Sequence, residues 1–554
     1  MSAPSPALWH EPRLPWLEIL EGGEAVRLRA RTTTDVTALA VEYGDRYRLA
    51  LSRQALTPVG AADGRRLWQT ELSVPTRRLR YRFRIGVDGE PPRRLPSVWG
   101  EEDFYQLPYA YPSPPPCPWP GATVYALFPD RFALPPGAPE RPLAAPRAYY
   151  GGTLAGIASR LDYLDDLGVG VVYLNPIHPS GSYHRYDVED YLAVDPRLGS
   201  LDDLRALARD IHRRSMRLVL DMVFNHTSSR HPWFLEAQAD AASPMRSRYR
   251  FLADGTYETW ADKVWSLPKL IWTPEVEREV GAILAFWMAQ GADGFRLDVA
   301  NEMPRDGWLR IRERLPGVIL WGEVFPPAPE WVEDRPYTGV LDYAWLSTVG
   351  KDVLLGRAAD RLAASILEHE ALYGSRQHGA NWVPFGSHDL PRPMTVARGR
   401  RDRVEIAQVL QWASPGLPVL YYGDEQYMEG GPDPDCRRPF PWAAAGRQPQ
   451  QGLVRRLIHW RRANPWVASL PLRSVTAPAG TLLIERGLAG GPRLLVLARP
   501  AAGDGKVSLP AGEWHDALDG ERLSGRIAMA GVTARILVSD PGARKGEGHG
   551  ESST

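Results

Sequence analysis

The sequence predicts an α/β protein: a (β/α)8 TIM barrel with a small subdomain inserted after its third strand, flanked by N-terminal and C-terminal β-sandwich domains. Three observations lead there. At 554 residues the chain is too long for one simple core, and a length prior gives two to four domains. Its hydrophobic pattern changes character twice, from period-two alternation to apolar runs separated by amphipathic helices and back again. The middle stretch holds eight short apolar strand candidates with helices between them, the signature of a closed parallel sheet.

In chain order, residues 1–117 read as an N-terminal β-sandwich. Ala25–Arg31 and Leu79–Ile85 alternate apolar and polar residues with period two, as half-buried strands do. The Pro-rich run Tyr111–Pro120 reads as a stiff linker, which puts a boundary there. Residues 118–465 read as the barrel, with strand candidates Thr123–Phe128, Val169–Leu174, Arg217–Met222, Gly294–Val299, Val318–Glu323, Tyr337–Tyr343, Trp382–Phe385 and Pro418–Tyr422. Amphipathic runs such as Leu201–Arg213 and Pro274–Ala289 lie between them. The stretch 227–270 is too long for an ordinary barrel loop and is expected to form the inserted subdomain. Residues 466–541 return to strand patterns, clearest in Thr481–Arg486 and Arg493–Ala498, and 542–554 read as a disordered tail.

Charge and composition narrow the function. Lys and Arg number 66 and Asp and Glu 66, so the net charge is zero and no electrostatic case exists for nucleic acid or an anionic membrane as partner. Two cysteines, Cys117 and Cys436, without metal-type spacing fit a reducing compartment. Met1–Leu14 has no secretory pattern, and no segment approaches a membrane span, so the expected location is cytoplasmic. Twenty Trp, 22 Tyr and 12 Phe mainly fill cores, but flat rings also stack on the apolar face of a pyranose.

Active sites of such barrels form where the strands end. Collecting the polar residues there gives Asp221, Asn225 and His226 after the third strand and Arg296 and Asp298 on the fourth. It adds Glu323 on the fifth, His388 and Asp389 after the seventh, and Asp424 and Glu425 after the eighth. Any one of these is readily a helix N-cap. So many carboxylates and histidines on one rim would be costly unless they bind or catalyse. Glycoside hydrolysis needs one ionised and one protonated carboxyl group. Asp298 has Arg296 two residues away to keep it ionised, which suits a nucleophile. Glu323 lies between Trp321 and Phe325, and apolar surroundings suit a general acid. Asp389, beside His388, can bind sugar hydroxyls. The rival chemistry is a divalent-metal hydrolase or lyase, because carboxylate clusters also bind Mg²⁺. No His pair has zinc spacing, and neither metal nor cofactor is expected.

These motifs resemble the α-amylase family (glycoside hydrolase family 13). Its characteristic regions correspond, in order, to Asp221–His226, Gly294–Asp298, Glu323 and His388–Asp389. The resemblance implies a retaining double displacement on an oligosaccharide, with Asp298 as nucleophile, Glu323 as acid then base, and Asp389 as transition-state stabiliser. It further implies that Arg296 orients the nucleophile, that His226 and His388 bind the sugar at the cleavage subsite, and that Tyr186 stacks on it.

The N-terminal β-domain, Ser266–Leu270, Val299–Glu302 and Ser387 resemble the cyclomaltodextrinase, neopullulanase and maltogenic amylase group. Trp9–His10 and Arg438–Trp442 are similar to maltodextrin glucosidases. The loop Gly431–Arg437 is similar to one in which an Asp and an Arg, here Asp433 and Arg437, grip the next sugar. Phe325 stands where relatives often have Trp at the leaving-group side. Departures occur as well. Ala133–Pro139 and Gly151–Thr153 lack the Asn and Asp of relatives that bind calcium there, and Asn301–Glu302 replace a calcium-ligating His, so activity without added calcium is expected. The implied substrates are short maltodextrins and cyclodextrins, and the resembled group implies a homodimer through the N-terminal domain. A transglycosylase or trehalose-forming enzyme is the alternative within the family. A non-catalytic interaction subunit of the same fold is the alternative outside it, disfavoured by the presence of all three acids.

Overall fold

In the computed structural model, eight short strands close into a parallel barrel in sequence order: Val124–Leu127 (β1), Val171–Leu174 (β2), Arg217–Met222 (β3), Gly294–Leu297 (β4), Leu320–Val324 (β5), Gly339–Asp342 (β6), Trp382–Pro384 (β7) and Leu417–Tyr421 (β8). Each neighbouring pair is parallel, and β1 pairs with β8 to close the ring. The structure describes residues 8–539, apart from 14, 21–23, 46–49, 74–78, 88–92, 95–104, 107–116, 334–335, 374, 446–451 and 489–490. The expected tail 542–554 and most of the linker Tyr111–Pro120 lie outside the described residues.

All eight expected strands are present, most of them a residue or two shorter than the apolar runs that announced them. Every strand residue from β1 to β8 is buried except Arg217 at the start of β3, as a helix-wrapped parallel sheet requires. The helices Leu201–Arg213 and Pro274–Ala289 have the expected bounds because local chemistry sets their starts. Ser200 accepts from the Asp203 N–H while Asp203 reaches back to the Ser200 N–H, and Thr273 caps a helix with proline in its first turn. Inside the barrel Trp382 stacks on Trp321 at 4.7 Å and packs against Tyr173 at 5.3 Å, forming a floor of aromatic rings below the strand ends.

The insertion holds a helix Pro232–Ala239, a 3-10 turn Pro244–Arg248 and isolated bridges such as Phe251 with Tyr257 and Thr259 with Pro268. Phe234, Ala237, Tyr249 and Leu270 give it a core of its own.

The described residues of Met1–Tyr109, Gly356–Ala371 and Leu470–Thr554 group into one compact unit, and those of Ala110–Leu355 and Leu372–Ser469 into a second that holds the barrel. In the first unit the N-terminal region forms two five-stranded sheets around Leu28, Val41, Trp68 and Phe83. The C-terminal region forms a six-stranded and a two-stranded sheet around Leu495, Leu497, Trp514 and Met529. The helix Ala359–Glu370 arises between β6 and β7 in sequence yet belongs to this unit. Its last residue, Glu370, accepts from buried Arg29 of the N-terminal sheets at 3.3 Å and from Arg486 of the C-terminal sheet at 3.0 Å. No helix among the described residues is long and apolar enough to cross a membrane.

Candidate active site

The barrel side chains that matter rise from the ends of β2 to β7. Arg296, on β4, stands at the centre and is fully buried. One nitrogen donates to Asp221 at 2.8 Å and to Asp298 at 2.9 Å, and the other pairs with Glu323. A single guanidinium therefore binds three carboxylates from three adjacent strands. The contact with Glu323 comes in addition to the expected one with Asp298, and it depends on the register of Arg296 against Trp321 across the β4–β5 pair.

Burial pushes both Asp298 and Glu323 above the ordinary carboxylate range, and Arg296 opposes the rise in each. Glu323 and Asp221 raise Asp298 further, and Asp389 and Asp221 do the same to Glu323. Each nearby anion makes the neighbouring carboxyl harder to ionise. The apolar environment expected for Glu323 is only part of its surroundings, since it also receives the Val299 N–H at 3.1 Å. Val299 follows the nucleophile candidate with φ 47° and ψ 46°, a left-handed conformation that strains a β-branched residue.

His388 and Tyr186 form a second layer. Their rings stack at 5.4 Å and 7°, and His388 Nε2 lies 2.6 Å from the Tyr186 hydroxyl. Asn175, just after β2, donates to His388 Nδ1 at 3.2 Å, so Nε2 carries the hydrogen, and the Tyr186 hydroxyl donates onward to Asp221 at 2.8 Å. Burial, reinforced by Arg437 and Arg296, drives the His388 pKa well below its usual value, so the ring is neutral. His226 is buried and neutral as well, its pKa lowered to about 4 by burial, and Nε2 pairs with the Tyr186 carbonyl at 3.2 Å.

Arg437 holds the third carboxylate. It donates to Asp389 at 3.1 Å and to the His388 carbonyl at 2.7 Å, and pairs with Asp433 at 2.8 Å. These groups line a cleft of about 630 Å³ with Asp298, Glu323 and Asp389 on its walls. Two aromatic faces look into it: Phe325, 48% exposed, and Trp260 of the inserted subdomain, 40% exposed and 5.8 Å from His226. An open cleft with carboxylates, neutral histidines and bare rings suits an uncharged, hydroxyl-rich ligand.

The sequence profiles described as "Alpha amylase, catalytic domain" and "Alpha amylase, N-terminal ig-like domain" match residues 126–317 and 3–106. Neopullulanase 2 of Thermoactinomyces vulgaris is 31% identical over 96% of this chain and 97% of its own length. The chain belongs to the α-amylase family. It is thus a glycoside hydrolase. A cyclomaltodextrinase of Bacillus sp is 30% identical over 79% of this chain and 84% of its own, and a solved cyclomaltodextrinase superposes with a TM-score of 0.84 at 26% identity, covering 96% and 99% of the two chains.

For this α-amylase-family chain the structure brings Asp298, Glu323, Asp389, Tyr186, His226, His388, Asp433, Arg437 and Phe325 to one cleft, with Arg296 directly behind it. Asp424 and Glu425, collected from the same rim by sequence, do not reach it. Asp424 pairs with buried Arg392, and Glu425 accepts from Tyr125 and Tyr163. Sequence reasoning missed Asn175, which the rule of a polar residue after an apolar strand would have found. It also missed Trp260, which carries no local signal.

The side-chain oxygens at and beside the family's calcium position already have donors. The Asp130 carboxylate accepts from the Tyr150 and Gly151 N–H groups and from Arg131, and the Thr153 hydroxyl oxygen accepts from the Gly156 N–H. Oxygens already facing N–H donors and a guanidinium do not suit a hard cation.

Proposed function

We propose that this enzyme is a retaining hydrolase of α-1,4-glucosidic bonds in short maltodextrins, with cyclodextrins as further substrates. The observation that carries the reading is the placement of Asp298, Glu323 and Asp389 around one cleft, with Arg296 joining the first two from behind. Asp298 attacks the anomeric carbon while Glu323 passes its proton to the departing oxygen, and Glu323 then takes a proton from the water that displaces Asp298. Asp389, oriented by Arg437, binds hydroxyls of the distorted sugar. Tyr186, His226 and His388 form that sugar's seat. Asp433 and Arg437 meet the sugar on one side of it, and Phe325 and Trp260 offer stacking faces for others. The names of the relatives, neopullulanase and cyclomaltodextrinase, support short and cyclic α-glucans as substrates.

The test is product analysis with maltotriose, β-cyclodextrin and pullulan in parallel, with the anomeric form of fresh product read by NMR. The reading requires α-anomeric products from at least one of these, and loss of turnover in Asp298→Asn; β-anomers or a fully active variant would refute it. Products longer than the substrate would instead favour the transglycosylase or trehalose-forming alternative, since a sugar can intercept the same intermediate. A cytoplasmic location is supported by two cysteines that are both free thiols. A homodimer through the N-terminal domain is proposed with it, and a monomer by light scattering at micromolar concentration would reject the dimer.

A further inference from the structure

Strand register places an unassigned tyrosine beside the acid. Glu323 pairs with Leu341 and Val324 with Asp342 across β5 and β6, so the next pair up the rim is Phe325 and Tyr343. Their rings lie face to face, 4.1 Å apart and 5° from parallel. Side chains two residues apart on a strand share a face, so Glu323 lies on the same side as Phe325, and Tyr343 is its neighbour across the sheet. Phe325 is open to the cleft, whereas Tyr343 is 3% exposed and lies beneath it. The Tyr343 hydroxyl is buried and, among the described residues, meets only the Ser387 side chain, off the geometry of a full hydrogen bond. The polar groups around it are Glu323, Asp389, Arg296 and Ser387. A buried hydroxyl so weakly paired is costly and can take a better acceptor when one forms beside it.

We propose that Tyr343 is a positioning residue for Glu323, donating a hydrogen bond to its carboxylate whenever Glu323 has given up its proton, while the tyrosine ring backs Phe325 as the platform for the leaving sugar. The inference rests on Glu323 being the acid and base. In the first step the Glu323 proton goes to the glycosidic oxygen as the C–O bond breaks and the Asp298 oxygen bonds to the anomeric carbon. Glu323 is then ionised, and the Tyr343 hydroxyl can turn toward it. In the second step Glu323 takes a proton from the attacking water and the bond to Asp298 breaks. Tyr343 keeps its own proton throughout, because burial, with Glu323 and Asp389 adding to it, raises its pKa far above the working range. Ring and hydroxyl thus link leaving-group binding to the state of the acid.

A hydrogen bond given to the ionised form lowers a carboxyl pKa, so removing it raises that pKa. Tyr343→Phe keeps the stacked ring and removes only the hydroxyl. Its alkaline limb of kcat/KM should move up by roughly half a pH unit, with KM unchanged and the melting temperature close to wild type. Phe325→Ala should raise KM for oligosaccharides and leave the limb in place. A Tyr343→Phe limb identical to wild type overturns the inference, as does a limb shift of the same size in Phe325→Ala. Glu323→Gln separates the two readings. If it keeps wild-type activity, the assignment of the acid itself falls; if it is inactive while Tyr343→Phe shows no shift, only the role of Tyr343 falls.

Discussion

At the scale of single residues the site is governed by one buried cation among several acids. Arg296 reaches Asp221, Asp298 and Glu323 with a planar fork that a lysine cannot reproduce. Arg296→Lys should therefore lower kcat roughly a hundredfold and move the acid limb to higher pH, because the group opposing the burial of Asp298 is weakened. Steady-state kinetics across pH read both effects. In the wild-type enzyme activity should rise as Asp298 ionises and fall as Glu323 loses the proton it must donate. Both groups are raised by burial, so both limbs should lie above the range of free carboxyl groups. No limb should belong to His388, which is held neutral. Most of the site was legible in the sequence, because its residues follow directly on apolar strand runs. The division of charge was not. Proximity in sequence revealed Arg296 beside Asp298, whereas its grip on Glu323, the stack of Phe325 on Tyr343 and the arrival of Trp260 from the inserted subdomain depend on register and on packing between distant segments.

At the scale of elements the loops that leave the strands show why some sequence signals were structural. Glu425, after β8, is fully buried among the Tyr125 and Tyr163 hydroxyls and the Gly423 N–H. Burial raises its pKa from 4.5 to about 7. A raised pKa contributes stability that is full below pH 4.5 and lost as pH rises through 7. Relative to Glu425→Gln, the wild type should therefore lose melting temperature between pH 5 and 8, and a pH-independent difference would contradict this. The loop after β1 gives a second case. A methyl group at Gly152 would stand 2.2 Å from the Pro129 carbonyl oxygen, so Gly152→Ala should destabilise by about 3 kcal/mol, measured by denaturant unfolding. Because Asp130 in that loop is already met by Arg131 and two backbone N–H groups, a chelator should leave activity intact; loss that Ca²⁺ alone restores would overturn this. Capped helices such as Leu201–Arg213 could be read to the residue, since their starts are set by side chains within three positions.

At the scale of the whole molecule the sequence yields the succession of β, α/β and β regions, but not how they group. The helix Ala359–Glu370 has the pattern of a barrel helix, and only long-range pairing assigns it to the unit with the β-domains. Glu370, 1% exposed, is bonded to Arg29 and Arg486 there. Glu370→Ala leaves two buried arginines without that acceptor and should destabilise this unit by roughly 3–5 kcal/mol, visible as an earlier unfolding transition. In the other unit, the proposed mechanism runs through a glycosyl bond to Asp298. It is tested most directly by trapping that bond with a fluorinated α-glucosyl fluoride and mapping the adduct by peptide mass spectrometry. One added sugar is expected on the peptide that contains Asp298, and none in Asp298→Asn. Turnover with no adduct, or an adduct on Glu323 or Asp389, would contradict it.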